Sequence, residues 1–426
     1  MLARIRGSRF GRHVMILTGG TVIGRAIVAL ASPLLSRIYS PADFGLLSVF
    51  FSLATTIGTI ACLNYEAAIP LPKDDESGLN MMAFCFTLLF VSVVICATLT
   101  LLYGDALTRL VHTPQLKPYL WLLPINVLGG GMFLILSSWV IRLQAFKSLA
   151  KRRIMQSGFQ VATQLLVPLA IRGPFGLLLG DSVGDVGLTP LLFDARKYVK
   201  AQSLRISSRK MIDAALRYRK FPVFGLASVL AHISFSVLPA LLLARFFGVQ
   251  EAGWYALVNQ ILVVAAGLIG LAIAQVYLSN AAQLAHSSPK RLRTLFFRTS
   301  WVALLLGLIP FSLLLFRGPW LFGFVFGAKW VEAGRYAQLL SLPFLVMIAV
   351  GPVYPTLTVL ERQDWQFIAD LVGVTMMVFG IAQTYKRGLS GRWAVGAYGL
   401  SVLITYLLLF GLSLYAIQRR YRENPL

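Results

Sequence analysis

Acidic residues are scarce in this chain: 16 Asp and Glu stand among 426 residues, against 39 Lys and Arg. Histidine occurs four times and cysteine three times. Cys62, Cys85 and Cys96 all fall inside apolar runs without ligand spacing, so they read as small core residues. The histidines are scattered. Neither a His/Cys/Asp/Glu metal cluster nor a Ser-His-Asp arrangement is suggested, and no metal is expected. No GxxxxGK[ST] phosphate loop occurs, which argues against ATP as the direct driving force. Charged residues make up 13% of the chain, about half the roughly 25% of a soluble protein.

What the chain has is apolar sequence. Hydrophobic residues account for 57% of it. Runs long enough to cross roughly 30 Å of hydrocarbon recur. They predict twelve spans, near 14–38, 44–70, 77–102, 118–141, 153–171, 174–194, 221–244, 254–279, 299–316, 336–360, 366–385 and 393–417. Backbone groups in lipid must be satisfied internally, so the spans are helices. The ten-residue alternation of a barrel is absent. The basic start "MLARIRGSRFGRHV" leads into a run rich in Gly, Arg and Ser, read as a retained first span rather than a cleaved signal.

Twelve spans put both ends on one side. Of the Lys and Arg residues, about 27 fall on that side and about 11 on the other, with Arg25 inside a span. The richer side is expected to be cytoplasmic. The net charge of +23 is then mainly topological, and nucleic acid is not expected as a partner.

The longest stretch outside the apolar runs is "RKYVKAQSLRISSRKMIDAALRYRK", from Arg196 to Lys220, with Asp213 its sole acid. It predicts three parts: a six-helix bundle over 1–195, a basic cytoplasmic linker over 196–220 and a second six-helix bundle over 221–426. Residues after Arg205 form either a surface helix on anionic headgroups or a solvated linker. The fold class is therefore all-α integral membrane, in two six-helix bundles. An internal repeat supports duplication: "LLSRIYSPADFGLLSVF" from Leu34 returns as "LLARFFGVQEAGWYALV" from Leu242, with Arg37 on Arg245, Asp43 on Glu251 and Gly45 on Gly253. An even number of spans per half makes the repeat a parallel one.

Charge inside lipid is costly, so intramembrane polar residues are the candidates for function. Thr18, Thr21, Arg25, Ala29, Ser32 and Ser36 form one helical stripe. Ser48, Ser52, Thr55, Thr59, Cys62 and Glu66 form another. Such stripes line a hydrated cleft or serve close helix packing; Arg25 and Glu66 favour the cleft. Asp181 and Asp185 share a face in "LGDSVGDVG" and would bind a coupling cation, share a proton, or pair with basic groups. His232 lies one turn from Ser228 and Ser236, as a lumenal titrating group or a neutral hydrogen-bonded one. Asp370, near a span end, is expected to reach water. Pro239, Pro310 and Pro343 interrupt apolar runs as candidate kinks.

The blocks "LLSRIYSPADFGLLSVFFS" and "NYEAAIPLPKDDESGLN" resemble the N-terminal signature of Wzx-type polysaccharide or O-antigen flippases, in the multidrug/oligosaccharidyl-lipid/polysaccharide superfamily. "RKFPVFGLASVLAHISFSVLPALLLARFFGVQEAGWYAL" is similar to the start of that family's second half. "AQVYLSNAAQ" and "GPWLFGFVFGAKWVEAGRYAQLLSLPFL" are further similar blocks. In that family an Arg often precedes the Tyr-Glu pair; here Asn64 stands before Tyr65 and Glu66. The resemblance implies two six-helix bundles around a central cavity, working by alternating access. It implies a polyprenyl-pyrophosphate-linked oligosaccharide as cargo, turned from the cytoplasmic to the outer leaflet. Arg25, Arg37 and Arg245 would meet the pyrophosphate. Asn64, Asn259, Gln260 and the hydroxyl stripes would meet sugar, with Glu66 and His232 also in the substrate path. No catalysis and no cofactor are expected; a proton or sodium gradient would drive turnover. The location is the cell inner membrane, with other polysaccharide assembly proteins as possible partners. The alternatives are a multidrug exporter of the same superfamily, an integral-membrane polyprenyl-dependent glycosyltransferase or polymerase, and a non-transporting scaffold.

Overall fold

A computed structural model describes residues 9–184 and 206–423. They form helices, with no strand among the described residues. Before the linker the described residues form α1 Arg9–Ile38, α2 Pro41–Ala61, α3 Asp75–Leu110, α4 Leu122–Arg142, α5 Phe146–Leu166 and α6 Phe175–Gly184. The linker carries α7, Ser208–Arg217. Then follow α8 Leu226–Phe247, α9 Val249–Ser287, α10 Pro289–Phe326, α11 Val331–Val350, α12 Gln363–Lys386 and α13 Gly391–Glu423. Among the described residues, ten segments are long and apolar enough to cross a membrane. The chain is a multi-pass membrane protein.

The two remaining expected spans differ in detail. α5 begins at Phe146 rather than near 153, so Lys147, Lys151, Arg152 and Arg153 ride on the helix and dilute its hydropathy. α6 is described for ten residues, to Gly184; Asp185 lies outside the described residues. The expected loops 103–117 and 317–335 are largely helical, because α3 continues to Leu110 and α10 to Phe326. Pro239, Pro310 and Pro343 all lie inside continuous helices.

Local chemistry sets the breaks. At the head of α2, the backbone N–H and Oγ of Ser40 donate to Asp43 Oδ2 at 2.8 and 2.7 Å, and Asp43 N–H donates back to Ser40 Oγ at 3.2 Å. That is a capping box with Pro41 at the first helical position. Arg37 closes α1 and Arg245 closes α8; Asp43 opens α2 and Glu251 opens α9. The sequence repeat is thus a repeated helix–break–helix, with charges matched to the helix dipoles.

The chain divides into two compact units, Met1–Tyr39 with Leu46–Val237 and Ser40–Gly45 with Leu238–Leu426. In the first, Tyr39 Oη donates to the carbonyl of Gln164 on α5 at 2.8 Å. α7 docks near the start of α3: Ser207 N–H donates to Asn80 Oδ1 at 2.8 Å and Lys210 pairs with Glu76 at 2.7 Å. In the second, Tyr277, Phe296, Val353 and Leu409 share a core, and Glu332 pairs with Arg335 and Arg392. Both repeat breaks contribute to this unit. A Cβ on Gly45 would overlap the carbonyl oxygen of Val249, and one on Gly253 would overlap that of Pro41. The contact is reciprocal, and only a residue without a side chain permits it on either side.

The turn from α2 to α3 positions the first polar candidates. α2 ends at Ala61, short of the expected 70, because Leu63 and Asn64 adopt φ of 51° and 62° and the helix cannot continue. Arg142 from α4 clamps this turn. Its guanidinium donates to Asp75 Oδ1 at 2.9 Å and to the carbonyls of Ile69, Pro70 and Pro72 at 3.3, 3.3 and 2.7 Å. Glu66 sits in the same turn, outside both neighbouring spans. It is buried, its Oε2 has no partner among the described residues, and burial raises its pKa.

Arg142→Met leaves a carboxylate and three carbonyls without their donor. It should cost roughly 2–4 kcal/mol, read as a fall in melting temperature of the solubilised protein. Glu66 holds its proton above the ordinary carboxylate range, so the folded state binds more protons than the unfolded one. Stability from Glu66 is present at lower pH and is lost as pH rises through the raised value. Glu66→Gln should flatten that part of the melting-temperature profile against pH; an unchanged slope would assign the dependence elsewhere.

Candidate functional site

α1 has two dissimilar exposed sides. Leu30 and Leu34 are 79% and 57% exposed, an apolar strip suited to lipid. Arg25 is also exposed but lies roughly 180° round the helix from Leu34. A guanidinium opposite the lipid-facing strip has its charge where water or an anion can reach it. Further along the same side, Ser32 and Ser36 are fully buried, and their hydroxyls donate to the carbonyls of Val28 and Pro33 at 2.9 and 2.8 Å. The stripe is thus open at Arg25 and packed at Ser32 and Ser36.

The helix next to α1 is α5. A Cβ on Gly24, the neighbour of Arg25, would stand 2.9 Å from Ser157 Oγ and 3.0 Å from the carbonyl oxygen of Arg153. α5 adds two cations that the sequence reading left in a cytoplasmic loop or at a span boundary. Arg152 is fully buried, with its guanidinium 3.8 Å from the centre of the Phe133 ring and a hydrogen bond to Gln156 Oε1. Arg153 lies over the same ring at 4.6 Å. The aromatic face accommodates buried guanidinium charge through its quadrupole. Two adjacent helices of the first unit therefore carry Arg25, Arg152 and Arg153. Phe133, the ring that explains the placement of Arg152 and Arg153, lies on α4, the preceding helix.

On α8, Ser228, His232 and Ser236 are all exposed and recur at four-residue spacing. They form a continuous polar strip of hydrogen-bonding groups. Arg37 and Arg245 are exposed in the last turns of their helices, and Arg245 lies 5.8 Å from the Phe246 ring centre. Asn259 and Gln260 are half-buried on α9. Asn64 is buried against Gly225, whose missing side chain makes room for the Asn64 amide. Glu66 is buried near Cys62 and Cys85. Asp181 accepts a hydrogen bond from Asn126 Nδ2 at 3.0 Å. Asp370 does not reach water as expected. It is buried and accepts from Tyr354 Oη at 3.3 Å. No group of three or more His, Cys, Asp or Glu able to hold a metal occurs among the described residues.

The comparisons with known proteins bear on what this arrangement belongs to. The succinoglycan biosynthesis transport protein ExoT of Rhizobium meliloti (strain 1021) is 23% identical over 420 residues, covering 88% of this chain and 82% of the relative. Among solved structures, the lipid II flippase MurJ in an inward closed conformation matches with a TM-score of 0.74 at 11% identity, over 95% of this chain and 90% of that one. An inward-facing multidrug resistance MATE family transporter of the MOP superfamily matches with a TM-score of 0.63 at 12% identity, over 96% of each chain. These likenesses establish the transporter fold. The family model described as "Polysaccharide biosynthesis protein" matches residues 34–335, most of the chain, and the chain belongs to that family.

Proposed function

We propose that this protein is a flippase for polyprenyl-pyrophosphate-linked oligosaccharide repeat units, moving them from the cytoplasmic to the outer leaflet by alternating access. The observation that carries this reading is Arg25, exposed on the side of α1 away from lipid, with Arg152 and Arg153 on the adjoining helix. A pyrophosphate needs charge-assisted donors, and guanidinium groups suit its oxygens by bidentate geometry. Membership of the polysaccharide biosynthesis family supplies the class of cargo, and the transport relative and flippase neighbour agree with it.

Roles follow from chemistry. Arg25 is the primary phosphate contact, and Arg37 and Arg245 meet the headgroup near the helix ends. Ser228, His232 and Ser236 offer donors and acceptors to sugar hydroxyls, with Asn259 and Gln260 as further amide partners. Asn64 and Glu66 act at the cytoplasmic turn. Cationic drugs would favour an acidic site, so the exporter reading fits these arginines poorly. A polyprenyl-dependent transferase would be expected to present acids or a substantial loop at the membrane surface. Asp74, Asp75 and Glu76 are instead engaged with Ser77, Arg142 and Lys210. The protein is placed by this reading in the inner membrane, with both termini cytoplasmic and duplicated halves joined by the 196–220 linker. Other polysaccharide assembly proteins would supply the cargo and consume it.

A strain lacking the protein should accumulate complete lipid-linked repeat units on the cytoplasmic face. Arg25→Ala at normal abundance should reproduce that accumulation, while Arg25→Lys should keep part of the export. Full export by the alanine variant would remove Arg25 from the site. For energy, an ion gradient acts through Asp181, held by Asn126, with Asp185 four residues on in the sequence. Reconstituted vesicles should therefore stop turnover when both proton and sodium gradients are collapsed; persistence without them would defeat the coupling.

A further inference from the structure

Within the second unit, where α12 begins and α13 ends, lies a small pocket of about 40 Å³. None of its residues has a role in the transport reading. Its floor is Leu360 and Ala416, both buried in the core of that unit. Its walls are Arg362 and Trp365 at the head of α12, and Arg419 and Arg420 near the end of α13. Ala416, Arg419 and Arg420 are spaced i, i+3 and i+4, so they share one face of α13 and both guanidinium groups are presented to the pocket. The opposite wall is set by the backbone. Glu361 adopts φ of 59°, and the Arg362 N–H donates to the Leu357 carbonyl at 2.7 Å, which turns the chain into α12 with Arg362 at its head. The Arg362 guanidinium lies 5.1 Å from the centre of the Trp365 ring. That ring packs on Tyr415, with ring centres 5.7 Å apart. The cation–π contact and the ring pair restrict where Arg362 can point.

Three guanidinium groups therefore surround one space. Arg362 and Arg420 are half-buried, so their mutual repulsion is screened less than that of fully solvated charges. Among the described residues neither Arg362 nor Arg420 pairs with a carboxylate. Glu361 and Asp364, the acids nearest Arg362 in sequence, are exposed and line no part of the pocket. An anion with several oxygens relieves the repulsion, because it can accept from more than one guanidinium at once through charge-assisted bonds. The size selects among such anions. A pocket of about 40 Å³ holds roughly three waters, room for a phosphate group and too little for a sugar ring. Trp365 and the exposed Tyr415 give this end of the unit the aromatic pair found at the level of lipid headgroups.

We propose that this pocket binds one phosphate group, presented by an anionic lipid headgroup or by phosphate in solution. Arg362 and Arg420 are the principal donors, with Arg419 beside them. The cargo is assigned to Arg25 on the other unit, so this site and the transport reading can fail separately.

Calorimetric titration of the full chain, stripped of lipid in a neutral detergent, tests it with two probes: inorganic phosphate and a short-chain phosphatidylglycerol. Arg362→Gln and Arg420→Gln should each weaken binding about tenfold, and the double variant should abolish it. Both side chains reach solvent, so the fold should survive, which the melting temperature without ligand checks. Arg291→Gln removes the same charge from the same unit outside the pocket and should leave binding unchanged. Two probes that compete for the site would show that either source reaches it. Phosphatidylglycerol binding alone would assign it to a lipid headgroup, and inorganic phosphate binding alone to a soluble source. The proposal is overturned if neither probe binds, if binding survives in the double variant, or if Arg291→Gln weakens it as much as the pocket variants do.

Discussion

Hydrocarbon does not solvate a polar group, and this constraint governs the whole chain. The backbone answers it by remaining helical through proline and through stripes of hydroxyls. Those hydroxyls answer it by bonding back to their own helix. Thr59 donates to the Thr55 carbonyl, Thr98 to that of Val94, Thr375 to that of Leu371 and Thr405 to that of Ser401, each four residues earlier. A side chain that looks like a ligand in the sequence is, in most such cases, spent locally. Function must then be sought where a charge or an amide is not absorbed in this way.

Charge obeys the same constraint through three different solutions. Arg142 is held by a carboxylate and three carbonyls and so fixes a turn. Arg152 is buried against an aromatic face. Arg25 is neither clamped nor buried; it stands in the open on the side of α1 that lipid does not claim. Because α1 and α5 approach closely at Gly24, the second and third solutions lie on neighbouring helices. That contrast separates a structural arginine from one available to an anion. The carboxylates divide similarly: Asp75 is paired, Asp181 is hydrogen-bonded by an amide, and Glu66 is buried with an oxygen unpartnered among the described residues.

Much of the fold was legible because a span is a composition as well as a conformation. Hydropathy located the long apolar helices, and the Arg37/Arg245 and Asp43/Glu251 pairs revealed the repeated break. Boundaries were less legible. The end of α2 depends on the left-handed backbone at Leu63 and Asn64, which no hydropathy pattern encodes. α10 runs on past its expected end, and α3 resumes beyond a kink at Tyr103, and neither continuation shows in the hydropathy pattern. Site residues were legible when the signal was a charge inside an apolar run, as at Arg25, or a spacing, as at Ser228, His232 and Ser236. They were illegible when the meaning depended on a partner in a neighbouring element. Arg152 needed Phe133, and Asp370 needed Tyr354. Neither pairing leaves a trace in either segment alone.

The reciprocal overlap of Gly45 with Val249 and Gly253 with Pro41 has the form of a symmetric contact. Equivalent residues meeting crosswise are what two identical subunits make about a two-fold axis, where one patch serves as both donor and receiver. In a symmetric pair of identical chains a single glycine would make both contacts; within one chain the same fit takes two positions, Gly45 and Gly253. Each can now drift separately, yet the fit still requires both to stay bare.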